Sequence, residues 1–453
     1  MDVFAARVAP AVRAAVRASS AATAAAREAA FARDVPDPAA LRDLAARIRA
    51  HALDHLPELL ERAEERLTAH GAHVHWAADA GAARDVVRRV FAERGVTHVA
   101  KSKSMATEEI GLAAHLAAHG ITPVETDLGE FLVQIEGDRP SHVVKPVIHM
   151  DRARIARAFE RRGLGPYDDR PEEITRRARM HLRGEFLRAG GAVSGANFLV
   201  AESGRIVIVT NEGNSRFGLG AARVHVAVVG IEKLVPRDRD LAVLLNVLAR
   251  SATGQAFTSY VELVQGPRAP GRADGASELH VVLLDAGRSA LLASEARDVL
   301  RCIRCGACMN VCPVYRAATG HAYPGTYPGP LGAVLAPHLA GASAAATASA
   351  SSLCGACADV CPVAIPLPEL IAAERARGVA EGTAPGPSLA AWEALATRPR
   401  AWRAALRAAR LLNAVPDALA PHPLLRAWLG ERTLPAWRGG AFRDWWRRRG
   451  DAR

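Results

Sequence analysis

All seven cysteines of this 453-residue chain lie between Cys302 and Cys361, and none falls in the first three hundred residues. A disulfide framework spreads an even number of cysteines through a short secreted chain, so an odd, clustered set points to metal instead. The first run, CIRCGACMNVCPVY, places Cys302, Cys305, Cys308 and Cys312 in C-x2-C-x2-C-x3-C-P spacing. In bacterial ferredoxins this spacing wraps three thiolates around one iron–sulfur cubane and sends the fourth to a neighbouring cluster. Gly306 and Ala307 leave room for inorganic sulfide, and Pro313 turns the chain so that Cys312 faces a second site. The second run, SSLCGACADVCPVAIP, repeats the pattern with one departure. Aligning Cys357 with Cys308 and Cys361 with Cys312 sets Cys354 opposite Cys305 and Ser351 opposite Cys302.

Crosswise ligation follows from that alignment. Cluster 1 takes Cys302, Cys305, Cys308 and Cys361; cluster 2 takes Cys312, Cys354 and Cys357. The fourth corner of cluster 2 is vacant, solvent-bound or filled by Ser351. Two [4Fe–4S] clusters are expected, with [3Fe–4S] as the alternative at the second site. Zinc is the competing metal, but it usually takes two C-x2-C pairs per ion, and two proline-terminated runs fit it poorly. The spacer at 313–353 is long for a small ferredoxin, and its LGAVLAPHL stretch reads as helix. The arrangement resembles the helical ferredoxin module of succinate dehydrogenase iron–sulfur subunits and of glycolate-oxidase-type proteins, which relays single electrons.

The remaining three hundred residues are organised differently. Leu41, Leu44, Ile48, Ala52, Leu56, Leu59, Ala63 and Leu67 recur at helical steps, with Pro57 kinking or restarting the helix, so 1–70 forms an N-terminal helical region. From 70 to 295 strands and helices alternate, as in an α/β domain. HVHWA, VTHVA and ITPV read as strands, and AARDVVRRVFAERG and TEEIGLAAHLAAHG as helices ending in Gly95 and Gly120. ANFLVAE and RIVIVTNEG flank a Ser203-Gly204 hairpin turn, while VHVAVVG and LHVVLLD are apolar runs suited to strands buried on both faces. Three polar groups sit at strand ends, where open α/β sheets bind ligands. Lys101, Ser102, Lys103 and Ser104 offer hydroxyls and ammonium groups to a carboxylate or phosphate, with N-capping as the plainer reading. Glu125–Glu130 and Thr210–Asn214 are the others. No strand-embedded G-x-G-x-x-G and no P-loop is present, so no nicotinamide or flavin site is legible and no catalytic residue is assigned.

Charge and length narrow the function classes. A chain this long carries two or three domains, and 50% hydrophobic with 23% charged residues is a globular profile. No apolar run approaches the ~20 residues that span a bilayer. Arg13, Arg17 and Arg27 interrupt any signal-peptide core, so a cytoplasmic location is expected. The net charge of +11 is concentrated at 401–453, where eleven arginines face four acids. No zinc-finger or RNA-binding motif accompanies it, so nucleic acid is not an expected partner. The region 381–453, after the two-cluster segment at 296–380, holds Trp392, Trp402, Trp428, Trp437, Trp445 and Trp446. Such a basic, aromatic surface suits a partner protein or peripheral contact with an anionic membrane, or else its tryptophans pack short helices.

Beyond the cysteine runs, KSKSMATEEIGL, ETDLGEFLVQI, GANFLVAESGRIVIVTNEGNSR, GIEKLVP and GHAYPGTYPGPLGAVLAP resemble the lactate-utilisation iron–sulfur protein B family over about 35–400. The resemblance includes Ser351 in the second run and departs after Asn214, in SRFGLGAAR. It implies an α/β domain of the sugar-isomerase/CoA-transferase-like fold fused to an α-helical ferredoxin-type domain with two [4Fe–4S] clusters. It implies the seven cysteines as ligands, and action with two other subunits in oxidising L-lactate to pyruvate for an unidentified electron acceptor. A glycolate or other 2-hydroxy-acid oxidase subunit and an iron–sulfur redox sensor are the alternatives.

Overall fold

The computed structural model describes residues 8–339, 341–383, 390–408 and 442–450. They form two compact units, Met1–Pro385 and Gly386–Arg453.

The first unit opens with three helices: Pro10–Asp34, Pro38–Asp54 and Leu56–Ala69. Asp37 caps the second by accepting from the Ala40 N–H, and Pro57 sits in the first turn of the third, where a missing N–H costs nothing. The apolar steps of the second and third bury Ile48, Leu53, Leu59, Leu60 and Leu67.

Strands then alternate with helices. The chain order is β1 (His73–Ala77), β2 (His98–Lys101), β3 (Thr122–Glu125), β4 (Gly191–Ser194), β5 (Phe198–Val200), β6 (Arg205–Thr210), β7 (Val224–Gly230), β8 (Leu234–Val235), β9 (Tyr260–Val264) and β10 (Glu278–Leu284). Six make a sheet of order β1-β10-β7-β4-β2-β3, parallel at every pairing. Every residue of β7 is buried, including His225, whose ring pairs with the Ser194 hydroxyl at 2.7 Å in an otherwise apolar run. Chain order reverses across this sheet: β2 is followed outward by β3, whereas β4, β7 and β10 step the other way. The reversal lies between β2 and β4, and the carboxyl ends of those strands are where a ligand crevice opens. A smaller sheet, β8-β5-β6-β9, contains the antiparallel hairpin β5–β6 across Ser203-Gly204. TEEIGLAAHLAAHG is not one helix. Gly111, at φ +61°, separates Met105–Glu109 from Leu112–Ala118.

The cysteine region that follows is built of short helices and 3-10 turns around Gly329–Leu339, which contains LGAVLAPHL. It shares a continuous core with the rest of the unit. Val16 and Ile48 of the first helices, Phe198 and Val207 of the small sheet, and Met309, Tyr315 and Val334 of the cysteine region pack in a single apolar cluster.

In the second unit, Ala390–Ala396 and Pro399–Ala408 are helices, with Trp392 and Trp402 edge to face at 5.1 Å. Phe442–Gly450 is a helix with Trp445 and Trp446 exposed. The rest of the basic tail, with Trp428 and Trp437, lies outside the described residues. Among the described residues, no helix is long and apolar enough to cross a membrane.

Candidate metal centre and adjoining cavity

The two cysteine loops repeat each other in backbone as well as sequence. Arg304 and Leu353, each two residues past the aligned Cys302 and Ser351, take positive φ of 60° and 51°. Gly306 and Gly355 follow in the left-handed region at 76° and 88°. A β-carbon at Gly306 would meet His142 at 2.9 Å, so that loop also needs glycine for space. In the first loop the Arg304 N–H donates to Cys302 Sγ at 3.3 Å; in the second the Leu353 N–H donates to Ser351 Oγ at 3.2 Å. The serine hydroxyl therefore stands where the first loop has a thiol. Side-chain-bearing residues held at positive φ cost about 1–3 kcal/mol each and persist where a site demands them.

Two groups of thiols emerge from their mutual electrostatics. Burial pushes Cys305 up to about 12, and Cys302 and Cys361 add to the rise. Burial raises Cys308 well above the ordinary thiol value, reinforced by Cys302, Cys305 and Cys361 and least by Cys357. Cys361 is raised by burial and then by Cys302. Cys312 is raised by burial and then by Cys354, and Cys357, pushed up to about 12 mainly by burial, is raised further by Cys312 and Cys354. So Cys361 of the second run sits with the first group, and Cys312 of the first run sits with the second. Buried thiols that destabilise one another's thiolates are an incomplete arrangement. A cationic iron–sulfur core supplies what they lack, and further backbone N–H groups already point at sulfur, from Tyr315 to Cys312 and from Ile365 to Cys361, each at 3.4 Å. The donor set fits such clusters. Cys354 alone of the seven is exposed.

The N-terminal helices strap this centre in place. Arg27 donates to Val360 O, and Arg42 to Cys361 O and Ala358 O, at 2.7–2.9 Å. Arg49, 1% exposed, donates to Leu234 O, Leu300 O and Arg301 O, and also to Glu232 O. One fully buried guanidinium thus ties the small sheet to the segment leading into Cys302. Burial lowers it to about 10, which leaves it charged at neutral pH.

Beside the first thiol group a cavity of about 340 Å³ opens at the reversal point of the large sheet. All three strand-end groups legible in the sequence reach it: Ser102–Ser104 after β2, Asp127 after β3, and Thr210–Glu212 with Asn214. Gly195, just past β4, lets the loops close up, since a β-carbon there would lie 2.3 Å from Ser104 Oγ. Lys101 departs from the expected anion-binding set. It is fully buried and matched by Glu108 and Glu125, each at 2.7 Å, so it has no charge to spare for a ligand. Ser104 caps the helix after it by accepting from the Thr107 N–H. Lys103 donates to Val144 O and lines the cavity. The cysteine region contributes Arg304 and Tyr327 to the wall, with the guanidinium 4.8 Å from the ring centroid.

Glu232 and Lys233, inside GIEKLVP, also line it. Glu232 bonds Arg288 at 2.6 Å and meets Arg304 at 3.4 Å, while burial and then Arg304 bring Lys233 down to about 7. Neither residue carries a sequence signal of its own beyond the shared motif. Elsewhere Asp138, His149 and His321 converge within 4.8 Å, but Arg154 donates to Asp138 at 2.8 Å and already supplies a cation there.

Residues 60–284 match the LUD domain, 298–365 the 4Fe-4S dicluster domain, and 381–451 the Lactate utilisation protein B, C-terminal family. The chain is 42% identical over 425 residues to Lactate utilization protein B of Geobacillus thermodenitrificans, covering 90% of this chain and 88% of that one. The chain belongs to the lactate utilization protein B family. The chain is also similar to Lactate utilization protein B of Exiguobacterium sp., 41% identical over 92% of this chain and 91% of that one, and to a protein of Escherichia coli K12 named "Uncharacterized electron transport protein YkgF", 40% identical over 90% and 87%. A crystal structure of a DUF162 family protein from Deinococcus radiodurans matches 51% of this chain and 98% of that one, at 14% identity and a TM-score of 0.29. With its dicluster domain, this family member is an iron–sulfur protein.

Proposed function

We propose that the chain is the iron–sulfur electron-transfer subunit of a cytoplasmic complex that oxidises L-lactate to pyruvate, acting with other lactate-utilisation subunits. The relatives' shared name supports the substrate, and the 4Fe-4S dicluster match supports the chemistry. The observation that carries the reading is the matched geometry of the two cysteine loops, with positive φ at Arg304 and Leu353 and N–H groups donating to Cys302 Sγ and Ser351 Oγ. On this reading Cys302, Cys305, Cys308 and Cys361 hold one cluster, and Cys312, Cys354 and Cys357, with Ser351 Oγ nearby in the role of Cys302, hold the other. Bound there, the two clusters supply a one-electron relay. The chain's own contribution is to set the first loop's Arg304 in the wall of a ligand-sized cavity and to leave the second group open at Cys354. The α/β part is read as a sugar-isomerase/CoA-transferase-like domain, in keeping with its parallel sheet. The test is anaerobic co-purification with partner subunits, then addition of L-lactate under electron paramagnetic resonance. Lactate-dependent reduction of iron–sulfur signals in the complex, and none in the lone chain, is expected. Stoichiometric zinc without sulfide, or lactate turnover by the lone chain, overturns the reading.

A further inference from the structure

We propose that the cavity at the sheet reversal point is a binding site for a small monoanionic carboxylate of the 2-hydroxy- or 2-oxo-acid class, with Arg304 as its anchoring cation. The class of acid rests on the function proposed above; the site itself rests on four observations. Arg304 lines the cavity with its side chain 7% exposed; its Nε and Nη1 have no oxygen acceptor, and its guanidinium interacts with the Cys302 sulfur. A buried guanidinium with unmet donors is costly unless an acceptor arrives.

The wall's charge is unbalanced in the same direction. Lys103, Lys145, Arg288 and Arg304, with Lys233 lowered to about 7, face Asp127, Glu212 and Glu232, and Arg288 is also held by Glu109 behind the wall. Of these acids Glu232 is already shared among Arg288, Arg304 and Lys233. The head groups of Lys103 and Lys145 are held by neutral oxygens: Val144 O for one, and the Ser19 and Thr23 hydroxyls for the other. The surplus is positive but modest, and three carboxylates in the wall repel a phosphate dianion more than a carboxylate monoanion.

Volume and position agree. About 340 Å³ lies in the range of small-ligand sites, and the carboxyl ends of β2 and β4 at the reversal of strand order are where such sheets bind ligands. The anchor also belongs to the first cysteine loop, since the Arg304 N–H donates to Cys302 Sγ at 3.3 Å. An anion on that guanidinium therefore changes the electrostatic surroundings of Cys302.

The experiment uses the full chain, purified anaerobically with its iron–sulfur content measured. Pyruvate, L-lactate and inorganic phosphate are tested separately by equilibrium dialysis, and the reduced protein's electron paramagnetic resonance spectrum is recorded with and without each. One carboxylate per chain is expected, with a change in the signal of the centre held by Cys302. Arg304→Gln should weaken binding about tenfold or more, the scale of a hydrogen bond to a charged group, and Arg304→Lys less. If Arg304→Gln loses iron, Lys103→Gln decides, with an expected loss of severalfold. No carboxylate binding to cluster-loaded wild-type chain, binding of phosphate alone, or undiminished carboxylate binding by the deciding variant overturns the proposal. A wild-type chain without iron–sulfur signal counts against the function proposed above, whereas normal clusters without carboxylate binding count against this site alone.

Discussion

Glu232→Gln probes the junction on which both the cavity and the first cysteine loop depend. Glu232 lies two residues past β7 and is 1% exposed. Its carboxylate meets Arg288 at 2.6 Å, Arg304 at 3.4 Å and Lys233 at 3.9 Å, and Arg288 also holds Glu109 with two bonds of 2.9 Å. Burial pushes the carboxyl group up, but Arg288, Lys233 and Arg304 outweigh it and hold Glu232 at about 2, against an ordinary 4.5. Such a drop corresponds to about 3 kcal/mol of folding stability at neutral pH. The contribution is full above pH 4.5, where the unfolded chain's carboxyl is already ionised, and is lost as pH falls toward 2. Removing the charge leaves buried guanidinium groups short of a counterion, for which ~3–5 kcal/mol is the usual cost. Urea unfolding at pH 7 under anaerobic conditions, followed by far-ultraviolet circular dichroism, should show the variant less stable by about 3 kcal/mol. Repeated on metal-free protein below pH 4.5, the gap should narrow. A difference under about 0.5 kcal/mol at pH 7, the size of an ordinary surface substitution, refutes the reasoning, and so does a gap unchanged by acid.

Crosswise ligation predicts that Cys312→Ala damages the centre shared with Cys354 and Cys357 and spares the one held by Cys302, while Cys361→Ala does the reverse. Electron paramagnetic resonance of the two variants checks this, and loss of one and the same centre in Cys312→Ala and Cys302→Ala shows sequential ligation instead. With three thiolates and a hydroxyl, the second site should lose an iron first on brief air exposure and pass to a three-iron signal. Ser351→Cys should slow that loss severalfold, because Leu353 N–H already places the Ser351 side chain as Arg304 N–H places Cys302; an unchanged rate argues that this side chain does not face the cluster.

What was legible in the sequence was whatever short-range chemistry determines. The cysteine spacing marks two loops because a cubane imposes it, and the Cys302–Ser351 alignment reappears as paired positive φ values at Arg304 and Leu353. β7 and β10 are visible because strands buried on both faces are mostly apolar, His225 and His280 being the buried exceptions. The strand-end groups were found, but their convergence on one cavity was not, since it depends on a strand order that no local pattern encodes. Lys101 shows the limit. Beside Ser102, Lys103 and Ser104 it reads as a free cation, yet Glu108 turns back to it from the helix after β2 and Glu125, 24 residues on, is set opposite it by the β2–β3 pairing. Arg49 gave no signal at all, because its partners are backbone carbonyls more than 180 residues away. The helix expected at TEEIGLAAHLAAHG broke because Gly111 permits a left-handed residue that the apolar spacing conceals.

The same long-range contacts explain why a relay subunit carries such a large α/β part. A dicluster loop alone buries little apolar surface, and its thiols destabilise one another until metal is bound. Here Met309, Tyr315 and Val334 join a core that also includes Val16, Ile48, Phe198 and Val207, so the loops are braced by packing as well as by ligation. Arg27, Arg42 and Arg49 spend their hydrogen bonds on the backbone around Cys302 and Cys361, the two residues that bring both runs to the first group. Arg375 likewise donates to Ala348 O, Ser349 O and Ser351 O ahead of the second loop, yet Cys354 itself stays exposed. The proposed carboxylate site and a proposed partner contact at Cys354 make opposite demands on exposure. On the binding proposed for Arg304, excluding water from the cavity strengthens its attraction for an anion, while the exposed Cys354 leaves the second group within reach of a partner protein.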